Sequence, residues 1–296
     1  MRRVALKSII PGQRLAKTVY SKKGNMLLEA GIELSNQHIA KLEFFNIEEL
    51  FIEYIDSEEN DCPSPISGDT REEAKVLIRK IMNSNAVNLD SEYIKVEYYV
   101  NSIIDQLLFR QDIVISLNEI RNVDDYTFEH SVSVCIFSLI IGISLEYSDT
   151  DLFELGVGAL LHDIGKLKIP DSILKKPSNL TPEEFSFIKM HSYFGYEILS
   201  KSSNISKKSA EVALYHHERI DGSGYPNKLS SLDIPEFARI TAVADVFDAL
   251  TSDRVYRNKL GINEVVEYMT SSNMNLFDQK MLKCFMKFIR VNHQEV

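Results

Sequence analysis

Cysteine, basic charge, long apolar runs and a leader-like start are all scarce in this sequence. Its three cysteines, Cys62, Cys135 and Cys284, lie far apart and leave one without a mate in any pairing. That argues against a disulfide framework and against a thiolate metal site. Lysine and arginine number 33 against 43 acidic residues, a formal charge of −10. Duplex binding rests on many cationic contacts to phosphate, so a broad DNA or RNA surface is excluded, and an anionic ligand needs a local cationic pocket. The longest weakly polar run, Ser131 to Leu145, is flanked by His130 and Glu146. It is too short to span about 30 Å of hydrocarbon, so it reads as a buried helix with no role in a membrane. Met1-Arg2-Arg3 leads on to Val4, Lys7 and Gln13 without the apolar block and cleavage site of a secretory leader, and a cytoplasmic protein is expected. What is plentiful is apolar side chain: 44% of residues are hydrophobic and 26% charged. That supplies the core of one large domain and a small one, and excludes wholesale disorder.

Residues 1–55 read as a small α+β module. Val4 to Ile10, Leu15 to Tyr20, Met26 to Glu29 and Leu50 to Tyr54 are strand-like, with a helix from the Ser35 cap to Phe45. Asp56 to Asp69, acidic and carrying Pro63, Pro65 and Gly68, reads as a linker; with the connecting helices after it, this segment is expected to occupy 56–98. Thr70-Arg71-Glu72-Glu73 has capping-box spacing, and a further helix begins near Leu89. Beyond it the helical segments are Tyr93 to Ile120, Tyr126 to Leu145, Asp149 to Leu161, Thr181 to Leu199, Lys207 to His217, Pro235 to Thr251 and two C-terminal stretches. The expected fold is mainly α: an all-α domain over 99–296 preceded by the small α+β module.

Five of the seven histidines, His130, His162, His191, His216 and His217, fall near element ends in the helical part. A single core histidine is more often simply hydrogen-bonded than a ligand, but five beside aspartates shift the balance. His130 enters a helix that is apolar nearly all round, and a buried imidazole needs a partner for each nitrogen. His162-Asp163 ends the apolar run from Gly156 to Leu161, so the carboxylate needs a cation; Lys166 would serve, and a metal ion would serve more completely. Thr241, Asp245, Asp248 and Ser252 form a stripe at 4, 3 and 4 spacing, either an ordinary solvent-facing stripe or part of a site. Imidazole and carboxylate donors without thiolate suit iron, manganese or zinc. Two such ions sharing a carboxylate are the equipment of phosphoester hydrolysis.

These residues, with His162-Asp163-Ile164-Gly165-Lys166, His216-His217-Glu218, Asp221-Gly222-Ser223-Gly224-Tyr225-Pro226 and the run Ala244 to Arg254, resemble the HD-GYP family, a branch of the HD phosphohydrolases whose members degrade cyclic di-GMP. The resemblance covers about two-thirds of the chain. It implies an HD-type helical domain in which His130, His162, Asp163, His191, His216, His217 and Asp245 ligate two divalent metal ions, iron or manganese, with Asp163 bridging. Tyr126 stands where three-metal members carry glutamate, which implies two ions here. Lys166, Arg254 and Arg257 are implied to contact substrate phosphates, and Gly222, Gly224 and Tyr225 to shape a substrate-facing loop. Ser192 and Val255 depart from the family's usual prolines. The implied activity is hydrolysis of cyclic di-GMP to pGpG, with Asp163 and Lys166 at the reacting phosphate. Diguanylate cyclases docking on Gly224-Tyr225-Pro226 and a homodimer are further expectations. Two rival readings are a phosphohydrolase for another cyclic dinucleotide or nucleotide, and a non-hydrolytic cyclic di-GMP sensor.

Overall fold

A computed structural model describes residues 2–6, 9, 14–20, 26–35, 38, 39, 41, 42, 45, 47, 49–53, 65–84, 89–109, 126–176, 178–252, 260–271 and 275–289. The chain divides into two compact units, Met1–Asp61 and Cys62–Val296.

In the first unit, β1 (Arg2–Ala5) and β2 (Arg14–Leu15) flank β5 (Glu49–Glu53) in an antiparallel sheet of order β1-β5-β2. A separate hairpin joins β3 (Val19–Tyr20) to β4 (Met26–Leu28). The Leu15 to Tyr20 run is therefore two strands, not one: the chain bends at Ala16 and Lys17, and its halves pair in different sheets. The first strand ends at Ala5, short of the expected Ile10, because Leu6 turns inward to join Leu15, Leu34, Leu42 and Leu50 in the unit's own core. Ser35 Oγ accepts from the backbone N–H of His38 at the start of the short helix.

The second unit is helical. Helix α1 (Gly68–Met82) is capped by Ser67, whose hydroxyl accepts from the Thr70 N–H, so the cap lies three residues before the expected one. Helix α2 (Leu89–Phe109) begins at the expected Leu89 and runs unbroken through Tyr93, and the expected continuation to Ile120 lies outside the described residues. Helix α3 (Tyr126–Ser144) is buried along its length from His130 to Gly142, as an all-apolar helix must be. Around it pack α4 (Asp149–Leu160), α9 (Glu236–Thr251), α1 and α11 (Gln279–Met286). Phe137, Phe247 and Phe285 from α3, α9 and α11 meet with ring centroids 4.9–5.7 Å apart and anchor the core.

Between α4 and α9 run a 3-10 turn (Ile164–Lys168), the single turn α5 (Asp171–Leu174), α6 (Pro182–Lys189), α7 (His191–Leu199) and α8 (Lys207–Tyr215); α10 (Ile262–Thr270) precedes α11. The expected single helix from Thr181 to Leu199 is thus two, broken at Met190. No glycine or proline marks the junction, so apolar periodicity runs straight through it in the sequence. Among the described residues no helix is long and apolar enough to cross a membrane.

Candidate metal centre

Five stretches of chain deliver the site. His130 sits in the first turns of α3. His162 and Asp163 occupy the turn after α4, where Leu161 caps the helix and the 3-10 turn begins. His191 opens α7, His216 and His217 follow α8, and Asp245 and Asp248 lie one turn apart on α9. The approach of the 3-10 turn to α7 requires a glycine: a Cβ on Gly165 would overlap the His191 carbonyl and the Gly195 N–H. That contact brings His191 over Asp163.

Four of the five imidazoles are held by their outer nitrogen, three of them on backbone carbonyls. His162 Nδ1 donates to the Ala159 carbonyl at 2.7 Å, His191 Nδ1 to Ile188 at 2.7 Å, and His216 Nδ1 to Ala213 at 3.0 Å. Those bonds put the proton on Nδ1 and turn an unprotonated Nε2 inward. Burial pushes all three imidazoles down, His216 to about 3, so they are neutral. His130 differs: its Nδ1 meets Asp248 Oδ2 at 2.6 Å and its Nε2 meets Asp245 Oδ1 at 3.2 Å. Burial opposes its charge, but the two carboxylates raise it to about 9. His217, the most open of the five rings, faces Asp245 Oδ2 at 3.8 Å through Nδ1.

Asp163 lies between two sets of nitrogens. Its Oδ1 is 3.4 Å from His191 Nε2 and 4.0 Å from His216 Nε2; its Oδ2 is 3.5 Å from His162 Nε2 and 3.8 Å from His130 Nε2. Lys166 Nζ pairs with the same Oδ2. Burial works against ionisation, yet Lys166 and the imidazoles hold Asp163 well below the usual carboxylate range. The Thr241 to Ser252 stripe is buried, not solvent-facing, and its members diverge in use: Thr241 donates to the Phe237 carbonyl, whereas Asp245 and Asp248 face His130.

The loop after His217 closes one side. Gly224 is pressed onto the backbone of His217 to Arg219, where a Cβ would lie 2.5 Å from His217 O. Gly222 holds φ +78° in the preceding turn. Tyr225 lays its ring on His217, centroids 4.6 Å apart. Arg254, Arg257 and Val255 lie outside the described residues.

Two residues at the site had no assigned role in the sequence reading. Asp248 orients His130, and its only sequence signal is the three-residue step from Asp245. Glu218, buried, accepts from the N–H groups of Asn227 and Leu229 and ties down the loop. An acidic residue beside a double histidine is all that marks it in the sequence.

The donor set fits metal ions. His162 Nε2 is buried with no hydrogen-bond partner, and the Nε2 atoms of His191 and His216, both without a proton, face each other at 3.4 Å. Lone pairs so placed repel unless a cation lies between them. Two groups can hold an ion, Asp163 with His191, His216 and His217, and His130 with His162 and Asp245; within each, the donor atoms lie within 4.8 Å of one another.

Comparison with known proteins agrees with this chemistry. The chain is 38% identical over 192 residues to a cyclic di-GMP phosphodiesterase of Pseudomonas aeruginosa, covering 65% of this chain and 46% of that protein. It is 41% identical over 128 residues to a 3'3'-cGAMP-specific phosphodiesterase of Vibrio cholerae, covering 43% and 24%. It thus spans less than half the length of either relative. Among solved structures, an HDG"Y"P protein of Bdellovibrio bacteriovorus shares the fold, with a TM-score of 0.58 at 16% identity over 97% of this chain and 98% of that one. The HD domain family model matches residues 118–281, more than half of the sequence, and on that match the chain belongs to the HD domain family.

Proposed function

We propose that this chain is a metal-dependent phosphodiesterase that opens cyclic di-GMP to linear pGpG in bacterial second-messenger signalling. The observation that carries the reading is the convergence of five imidazoles and two carboxylates on one buried locus, three of the imidazoles with Nδ1 fixed on a backbone carbonyl. The named activities of the two relatives support a cyclic dinucleotide as substrate.

In this reading Asp163, His191, His216 and His217 would hold one ion and His130, His162 and Asp245 the other, with Asp163, whose two oxygens face the two sets of nitrogens, available to both. The nitrogen and oxygen donors suit iron or manganese. Bound there, a pair of divalent ions supplies Lewis-acid polarisation of phosphoryl oxygens and a water of lowered pKa. The protein's part is to keep its donors in place, so that no reorganisation is needed when substrate arrives. Backbone carbonyls fix three rings and Asp248 fixes a fourth. Lys166, paired with Asp163 but a quarter open to solvent, donates to a phosphate oxygen at the reacting centre. Arg254 and Arg257 neutralise the phosphates, and Tyr225, on the loop shaped by Gly222 and Gly224, walls the substrate space. A cytoplasmic location, a homodimer, docking of diguanylate cyclases on Gly224-Tyr225-Pro226 and a separate input role for residues 1–55 belong to the same reading.

The test is to load the purified chain with iron or manganese and follow cyclic di-GMP by chromatography, with Asp163→Ala as control. Accumulating pGpG that depends on Asp163 is expected; intact cyclic di-GMP after prolonged incubation of the loaded wild type overturns the assignment. The similarity to the Vibrio cholerae relative favours 3'3'-cGAMP as a second reading, and the ratio of kcat/KM for the two cyclic dinucleotides decides between them.

A further inference from the structure

The break between α6 and α7 at Met190 separates two side chains with different surroundings. His191 points into the metal centre, while Lys189, the last residue of α6, lies among aromatic rings at its edge. Its ammonium is 4.6 Å from the Phe185 ring centroid and 5.1 Å from that of Tyr225, the ring stacked on His217. This is an acidic protein in which several cations of the helical unit pair with carboxylates: Lys166 with Asp163, Lys176 with Glu184, Lys208 with Asp151, Arg239 with Asp278. Among the described residues Lys189 makes no ion pair and no hydrogen bond; its stem is half-buried and its head is held only by π faces. Two rings restrict the long side chain in advance and leave its three N–H donors free for an anion.

We infer that Lys189 is a substrate-positioning residue, its ammonium taking a phosphate oxygen of the nucleotide that the metal centre does not hold. The inference rests on the phosphodiesterase reading. A cyclic dinucleotide carries two phosphodiesters; with one at the ions, the other is left to side-chain cations, and Lys189, one aromatic ring away from His217, would join the two arginines of the proposed function there. Tyr225 then has two tasks, packing His217 on one side and presenting Lys189 on the other.

The test uses the full manganese-loaded chain and two measurements, calorimetric binding of linear pGpG and turnover of cyclic di-GMP. Lys189→Met keeps the stem against Phe185 and Tyr225 and removes the charge. It is expected to weaken pGpG binding and raise KM by about 10- to 100-fold, the range for a lost charge-assisted hydrogen bond, with kcat within about threefold. Lys189→Arg is expected to restore most of the binding, which a packing role would not predict, and Lys189→Gln provides a second neutral variant if methionine disturbs the fold. Unchanged pGpG affinity in the neutral variants, or no pGpG binding by the wild type, overturns the inference. Turnover with no Lys189 effect removes this inference alone; Lys189-dependent binding without turnover removes the phosphodiesterase reading alone.

Discussion

A carboxylate that touches no ion can still decide whether one binds. Asp248 reaches the outer nitrogen of His130 at 2.6 Å, the arrangement that sets a ring's orientation and raises its basicity as a ligand. Asp248→Asn is expected to lower manganese affinity about 10- to 100-fold with the helical signal unchanged, as read by metal titration followed by circular dichroism. Asp163→Ala removes the one side chain facing both nitrogen sets, and metal analysis is expected to show loss of both ions, not one. At this scale much of the site was legible: imidazoles and carboxylates beside apolar runs demand partners wherever they occur. Asp248, Glu218 and Lys189 were not, because their roles arise from what lies across the fold. In the sequence Asp248 is one member of a polar stripe that also holds Thr241, whose hydroxyl merely bonds to its own helix.

Between elements, the contacts that matter are backbone approaches. The 3-10 turn after Asp163 can meet α7 only because residue 165 has no Cβ. Gly165→Ala is therefore expected to push α7 away and loosen His191, so that fewer than two ions are retained on gel filtration while His130 and His162 keep their places. The existence of the longer helices of the second unit was readable from periodicity and capping chemistry, whereas the single turn α5 was not. Nor was the break at Met190: Phe187, Ile188 and Met190 continue the apolar pattern, and what α7 meets after the turn, the backbone at Gly165, lies far away in the sequence. The cap of α1 moved for a local reason, Ser67 offering its hydroxyl to Thr70 before Thr70 can offer its own.

Over the molecule, every proposed ligand lies in the unit Cys62–Val296, which has its own core, while Met1–Asp61 has another. Expression of residues 62–296 alone is expected to give a folded, metal-binding protein, checked by thermal unfolding with and without manganese. Chelation is expected to lower its Tm, since ions that bind only the native state stabilise it in proportion to the logarithm of their concentration over Kd. Phe247→Ala, which opens the cluster with Phe137 and Phe285, is expected to cost about 3–5 kcal/mol in denaturant unfolding. Composition and apolar patterning led to an expected helical domain from residue 99, whereas Cys62–Val296 is one unit with α1 and α2 in its core; the splitting of Leu15 to Tyr20 between two sheets was not readable, since strand pairing is a long-range choice.

Because the seven donors are scattered from the start of α3 to the middle of α9, ions held there would act as a clasp on the whole bundle. One proposed ion would take its donors from the turn after α4, from α7 and from the end of α8, the other from α3, the same turn and α9, so a full pair needs all of these docked. Loading would therefore come last in maturation, and an occupied centre would certify that the chain around it had finished folding.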